Sequence, residues 1–186
     1  MSYRIRDCRE TCKTMDERKR NHKVRCGIVP DSELMATAKG AEIAMSGAPF
    51  QQLERFVEAQ KIYGYESALE EMRRGRKRGH WIWFIFPQMK GLGYSTNAQF
   101  YGISSLEEAK AYLEHPVLGP RLREITSAVL SHKGKDIVEI MDSGIDAMKL
   151  RSSMTLFDLA SPDDIFAEVL EAFYEGQRDA MTINLL

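Results

Sequence analysis

One six-residue segment limits what this chain can fold into more than any other. Residues 81–86 read WIWFIF, which is short, apolar and aromatic, the composition of a buried strand. A strand must pair with a neighbour, and no other segment alternates apolar and polar residues or ends in a hairpin turn. Everything around it carries the helical period instead. The segment is therefore expected to be a short buried helix closed by Pro87. The fold class expected is all-α, a single compact multi-helix domain.

That helical pattern starts at Phe50. Leu53, Phe56, Val57 and Gln60 share one stripe, and after Gly64 so do Tyr65, Ala68, Leu69 and Met72. Glu70 and Arg74 stand at i,i+4 in the stabilising order, and Gly75 and Gly79 then break the pattern. SSLEEAKAYLEHP carries overlapping capping boxes, Ser104 with Glu107 and Ser105 with Glu108, and ends just before Pro116. VLGPRLREITSAVLSHKGK predicts a helix opened by Pro120, with Leu122, Ile125, Val129 and Leu130 inward and Gly134 as its stop. Another helix can wind from Asp146 through Leu159. SPDDIFAEVLEAFYEG predicts Ser161 as N-cap, Pro162 at the first helical position, acids in the first turn and Gly176 as C-cap.

The 186 residues suffice for one domain with a real core. Residues 1–45 have few large hydrophobes and are expected to be a poorly ordered extension with one short helix near Asp31; residues 46–186 form the compact domain. Met45 opens MSGAPFQQLERFV, a second fitting start for that domain. The extension is basic, with 10 Lys/Arg against 7 Asp/Glu, and the rest mildly acidic, with 16 against 20. A formal net charge of −1 means that no overall field draws the molecule to nucleic acid or to an anionic membrane. All three cysteines, Cys8, Cys12 and Cys26, lie in the extension. With His22 they have the atoms for zinc, but C-x3-C-x9-H-x3-C fits no common ligand knuckle. Reduced thiols are expected, and neither a metal nor a cofactor. No stretch approaches the ~20 apolar residues of a membrane span. The first 27 residues lack the apolar core of a secretory signal, and Asp7, Glu10, Asp16 and Glu17 argue against an organelle transit peptide. A cytoplasmic location is expected.

The segments QLERFVEAQ, GRKRGHWIWFIFPQMKGLG, AYLEHPVLGPRL and MKLRSSMTLF, in that order, resemble a family of uncharacterised bacterial proteins catalogued as a domain of unknown function, family 1810. The resemblance covers the compact domain from about Phe50 to the final Leu-Leu and leaves the extension out. It implies a compact bundle of helices and no particular activity. Members are sometimes labelled calpastatin, a name that implies a long unstructured protease inhibitor. The dense apolar periodicity here contradicts that label.

Three constellations could carry chemistry. The first sets Arg73, Arg74, Arg76, Lys77, Arg78 and His80 beside Trp81 and Trp83. Guanidinium or ammonium groups take a phosphate while an indole stacks on a ring, and cations with exposed aromatics also suit single-stranded nucleic acid. The same residues read equally as core rings beside a solvated loop; Trp81 is the ring expected at a pocket wall, with Phe84 and Phe86 in the core. The second is GLGYSTN, residues 91–97, where glycines admit a close ligand and Ser95 or Thr96 can cap a following helix. A plain turn with an N-cap competes with that reading. The third is KLRSSMT, where Lys149, Ser152 and Ser153 share a helical face. A desolvated lysine there could activate a serine, or the three could hydrogen-bond a ligand or simply satisfy the helix. No acid pair, metal-ligand spacing or triad is present beside them.

The function expected is binding of a small anionic ligand, phosphorylated or nucleotide-like. Lys77 or Arg78 would take the charge, His80 would donate a hydrogen bond or move a proton, and Trp81 would supply a flat wall. Gln88, Ser95, Lys149, Ser152 and Ser153 would fix orientation. Whether a bond is broken stays open. The alternative is a protein-interaction module; a single-stranded RNA binder is disfavoured by the acidic balance of residues 46–186.

Overall fold

The computed structural model describes residues 48–186. The extension, its short helix near Asp31 and the Cys8, Cys12, His22 and Cys26 pattern lie outside the described residues. What is described is all-α. In order the helices are α1 (Ala48–Tyr63), α2 (Tyr65–Arg73), α3 (Ile82–Ile85), α4 (Thr96–Phe100), α5 (Leu106–Glu114), α6 (Leu118–Leu130), α7 (Ile137–Met141), α8 (Gly144–Ala160), α9 (Ile165–Tyr174) and α10 (Ala180–Asn184). Among the described residues none is long and apolar enough to cross a membrane.

WIWFIF forms one helical turn, α3, and continues into Phe86 and Pro87, all buried except the half-buried Trp83. A lone strand would have left its backbone groups unpaired in the core; the turn satisfies some of them within itself, as Phe86 N–H donates to Ile82 O at 2.9 Å. Among the described residues the nearest thing to a sheet is a single parallel bridge between Met89 and Ile103.

Helix α8 is the centre of the molecule, with α3, α5, α7, α9 and α10 packed against it. Residues Ser152 to Asp158 are buried without a break, which is why the second half of this helix lacks a clean apolar stripe: a stretch enclosed on every side has no outer face to make polar. A chain of aromatic contacts ties the layers together. Phe56 of α1 meets Tyr112 of α5 at 5.1 Å between ring centroids, Tyr112 meets Phe157 of α8 at 5.3 Å, and Phe157 meets Phe166 of α9 at 5.6 Å. Gln60, on the apolar stripe of α1, is buried with its amide satisfied: Nε2 donates to Phe84 O and to Tyr112 OH, and Oε1 accepts from Arg121.

Several helix ends differ from the sequence expectation. Only one of the two capping boxes closes the start of α5: Ser105 accepts from Glu108 N–H at 3.2 Å, while the Glu108 carboxylate reaches back one residue further, to Ser104 N–H, and also binds Arg55. Helix α6 begins at Leu118, two residues before Pro120, because His115 Nδ1 accepts from the N–H groups of Val117 and Leu118 and serves as a cap. Helix α9 starts at Ile165, not after Ser161. Ser161 ends α8, Asp163 turns the chain through a left-handed conformation (φ 64°), and the Asp164 carboxylate caps the new helix while binding Arg123. At its far end Glu175 and Gly176 are both left-handed, and Gly176 N–H donates to Leu170 O at 3.0 Å.

Candidate functional site

The basic run that follows α2 is nearly neutral in place. Arg73 pairs with Glu124, Arg74 with Glu70, Arg76 with Asp142 and Lys77 with Asp146. Only Arg78 of the run lacks an acidic partner among the described residues, and its side chain is exposed. The acids come from α2, α6 and α8 and from the turn after α7, so charges clustered in sequence are dispersed onto separate helices. Lys77 itself is buried, with its backbone N–H held by Ile140 O at 2.7 Å and its Nζ by Gly79 O at 2.6 Å.

Asp146, in the first turn of α8, is the pivot of the interior. Its Oδ2 accepts from Lys77 Nζ at 2.8 Å and its Oδ1 from Lys149 Nζ at 2.9 Å, with the three side chains 15%, 6% and 22% exposed. Burial would raise the Asp146 carboxyl, but the bonds from Lys149 and Lys77 outweigh it and hold it below the ordinary aspartate range. Two ammonium groups around one carboxylate leave the cluster with one positive charge. Lys149 is the outer member, its Nζ 4.6 Å from the centroid of the Trp83 ring.

Lys149 opens onto a cleft of about 570 Å³. Gln88, Ser95 and Ser152 line it beside Lys149 and Trp83, and its rim is apolar: Tyr94, Ile145, Met148 and Met181 are all exposed there. Asp179 sits at its edge, where it caps α10 by accepting from Thr182 N–H at 2.9 Å and from the Thr182 hydroxyl at 2.6 Å. Ser95 caps α4, accepting from Ala98 N–H at 3.2 Å. Lys149 and Ser152 do not form a base and nucleophile: the lysine donates to Asp146, and the Ser152 hydroxyl donates to Met148 O at 3.2 Å. Ser153 faces the interior, its hydroxyl buried with no partner among the described residues.

His80 and Trp81 line a different cleft, of about 350 Å³. Trp81 donates its indole N–H to Glu71 at 2.8 Å, and His80 is exposed. The nine residues singled out in the sequence thus divide. Gln88, Ser95, Lys149 and Ser152 share one cleft; His80 and Trp81 share another; Lys77 lies in the ion cluster behind the first, Arg78 stands in solvent and Ser153 is in the core.

Residues 50–186 match the family model described as protein of unknown function, DUF1810. The chain belongs to that family. The chain is also similar to the 1.38 Å crystal structure of a conserved hypothetical protein from Mycobacterium tuberculosis, with 52% sequence identity. That likeness covers 73% of this chain and 96% of the other, with a TM-score of 0.69. No curated protein matches.

In this DUF1810 chain the sequence missed Asp146, Met148 and Met181 as lining or orienting residues, and it named Trp83 in the first constellation but gave the pocket wall to Trp81. Asp146 carried a usable signal, being three residues before Lys149 on the same helical face. Met148 carried none, since an exposed rim residue on a helix as buried as α8 has the same local pattern as a core one, and Met181 lies on a short, mostly exposed helix with no periodicity to read.

Proposed function

We propose that the protein binds a small anion with an apolar or flat body in the cleft over Lys149. The observation that carries this reading is the Lys77–Asp146–Lys149 cluster, which fixes an ammonium against Trp83 at the wall of a recess otherwise rimmed by apolar side chains. Lys149 would meet the charged group, Ser95, Ser152 and Gln88 would hydrogen-bond it, and the Trp83, Met148 and Met181 side would cover the body. The single net charge of the cluster, with the Asp179 carboxylate at the cleft edge, favours one phosphate or carboxylate group over a polyphosphate chain.

A thermal-shift series on the full chain with benzoate, phenyl phosphate and ATP tests it, with Lys149→Gln in parallel. Stabilisation by the aryl anions, absent with ATP at matched ionic strength and lost in Lys149→Gln, is expected. Equal stabilisation of wild type and Lys149→Gln, or none by either aryl anion, overturns it. The exposed Tyr94, Ile145, Met148 and Met181 favour a second reading, a protein-docking rim; that reading is supported if Met148→Lys abolishes association with a partner while no small anion binds.

A further inference from the structure

The cleft beside His80 has the opposite character from the one at Lys149. Four aromatic side chains line it: Tyr63, Trp81, Phe84 and Tyr101. Phe84 is central to them, with its ring centroid 5.5 Å from Tyr63 and 5.6 Å from Tyr101 and the planes inclined at 32° and 57°. The rings are therefore tilted against one another, not stacked flat.

The fixed charge in that cleft is Glu71. Its Oε2 accepts from Arg78 N–H at 2.7 Å, Gly79 N–H at 3.0 Å and Trp81 Nε1–H at 2.8 Å. Its Oε1 takes no bond from the described residues. Burial would raise this carboxyl, but the three donors and nearby Lys77 outweigh it and keep it ionised. Of the cations close in sequence, Lys77 acts on Glu71 through space, while Arg74 and Arg76 are each paired with another acid and border Glu71 only on its other side. Exposed Arg78 lines the recess on another side of Glu71 and not this cleft.

Aromatic faces are electron-rich, and a cation whose charge is spread over methyl groups loses little hydration when it packs on them. An inorganic cation needs several oxygen ligands, and no group of three or more metal-ligating side chains exists among the described residues. We infer that this cleft binds an organic cation, a methylated ammonium group caged by Tyr63, Phe84 and Tyr101 and neutralised by Glu71. Trp81 holds the carboxylate in position, since Lys77 Nζ already lies 5.1 Å from its ring centroid.

Choline is the probe, set against 3,3-dimethylbutan-1-ol, which has the same shape without the charge. Each is titrated into the ¹⁵N-labelled full chain. Choline is expected to shift the Trp81 indole N–H resonance and leave that of Trp83 in place, and the alcohol to shift neither. Tyr63→Ala should weaken choline about two- to fivefold, and Glu71→Gln about tenfold or more. Glu71 also organises the loop, so Tyr63→Ala, an exposed position, is the deciding variant once its spectrum is shown to be otherwise native. Four results overturn the inference: equal binding of the alcohol, undiminished affinity in Tyr63→Ala, a shift at Trp83 in place of Trp81, or no Trp81 shift at any choline concentration the protein tolerates.

Discussion

Replacing Asp146 with asparagine tests how far the interior depends on one carboxylate. The Lys77 side chain is 6% exposed, and its ammonium has two acceptors, Asp146 Oδ2 at 2.8 Å and Gly79 O at 2.6 Å. Removing the charge from Asp146 leaves that ammonium beside a neutral carbonyl and an amide oxygen. Breaking a buried ion pair by removing one partner costs about 3–5 kcal/mol. Two neutral acceptors survive here, which puts Asp146→Asn at the low end, about 3 kcal/mol. Lys149→Ala removes the outer cation and leaves Lys77 paired; Lys149 is 22% exposed, so this variant should cost under about 1 kcal/mol. Urea unfolding of the full chain, followed by circular dichroism, separates the two, and the larger loss should also lower Tm by about 10 °C. Losses under about 1 kcal/mol in both variants would refute the claim that Lys77 requires Asp146.

The same cluster fixes the sign of a pH effect. A carboxyl whose folded-state pKa is depressed contributes stability that is complete above its unfolded value and lost as pH falls through the folded one. Wild type should therefore lose stability between about pH 5 and pH 2 more steeply than Asp146→Asn in a series of melts; parallel curves would argue against the depressed Asp146. Thr126→Val removes a buried hydroxyl that has no partner among the described residues and keeps the shape, so it should leave stability unchanged or raise it by about 1 kcal/mol in urea titration. Gly119→Ala should destabilise by about 3 kcal/mol by the same measure, because a Cβ there runs into the backbone carbonyl of Leu113. Ser105→Ala should cost about 1 kcal/mol through loss of the α5 cap, read as a lower urea midpoint with unchanged slope.

Much of the fold was legible because its signals are local. The stripe of Leu53, Phe56 and Gln60, the break at Gly64 and the Glu70–Arg74 pair all express helical spacing, and each is present as read. WIWFIF was decided against its own strand-like composition, by the absence of a strand partner and the helical period on both sides. The misplaced start of α9 has a tertiary cause: Ser161 and Pro162 have good capping chemistry, but Asp164 is better placed, since its carboxylate also meets Arg123 from α6 across the fold. The clefts were legible only as a pool of residues. Lys149, Ser152, Ser95 and Gln88 do come together, yet nothing local says that Ser153 turns inward or that Trp81 and Trp83, two residues apart, face different recesses. The positive charge of RKR was misleading for the same reason. Its partners Asp142 and Asp146 are more than 60 residues away and become neighbours only on folding.

The Met89–Ile103 bridge, with Lys90 N–H bonded to Ile103 O and Ile103 N–H to Gln88 O, gathers the intervening residues into a clasped flap. Gly93, Ser95 and Ala98 of that flap face one cleft, and Asn97 and Tyr101 face the other. It is in effect a partition wall between two rooms, and a thin one. Its helix has five residues, none fully buried, and a narrow gap of about 10 Å³ between it and Trp83 leaves scarcely room for one water. Such a wall is among the first parts of a native structure to give way. If it yields, a guest in either room alters the space left to the other, and the two effects on affinity must be equal.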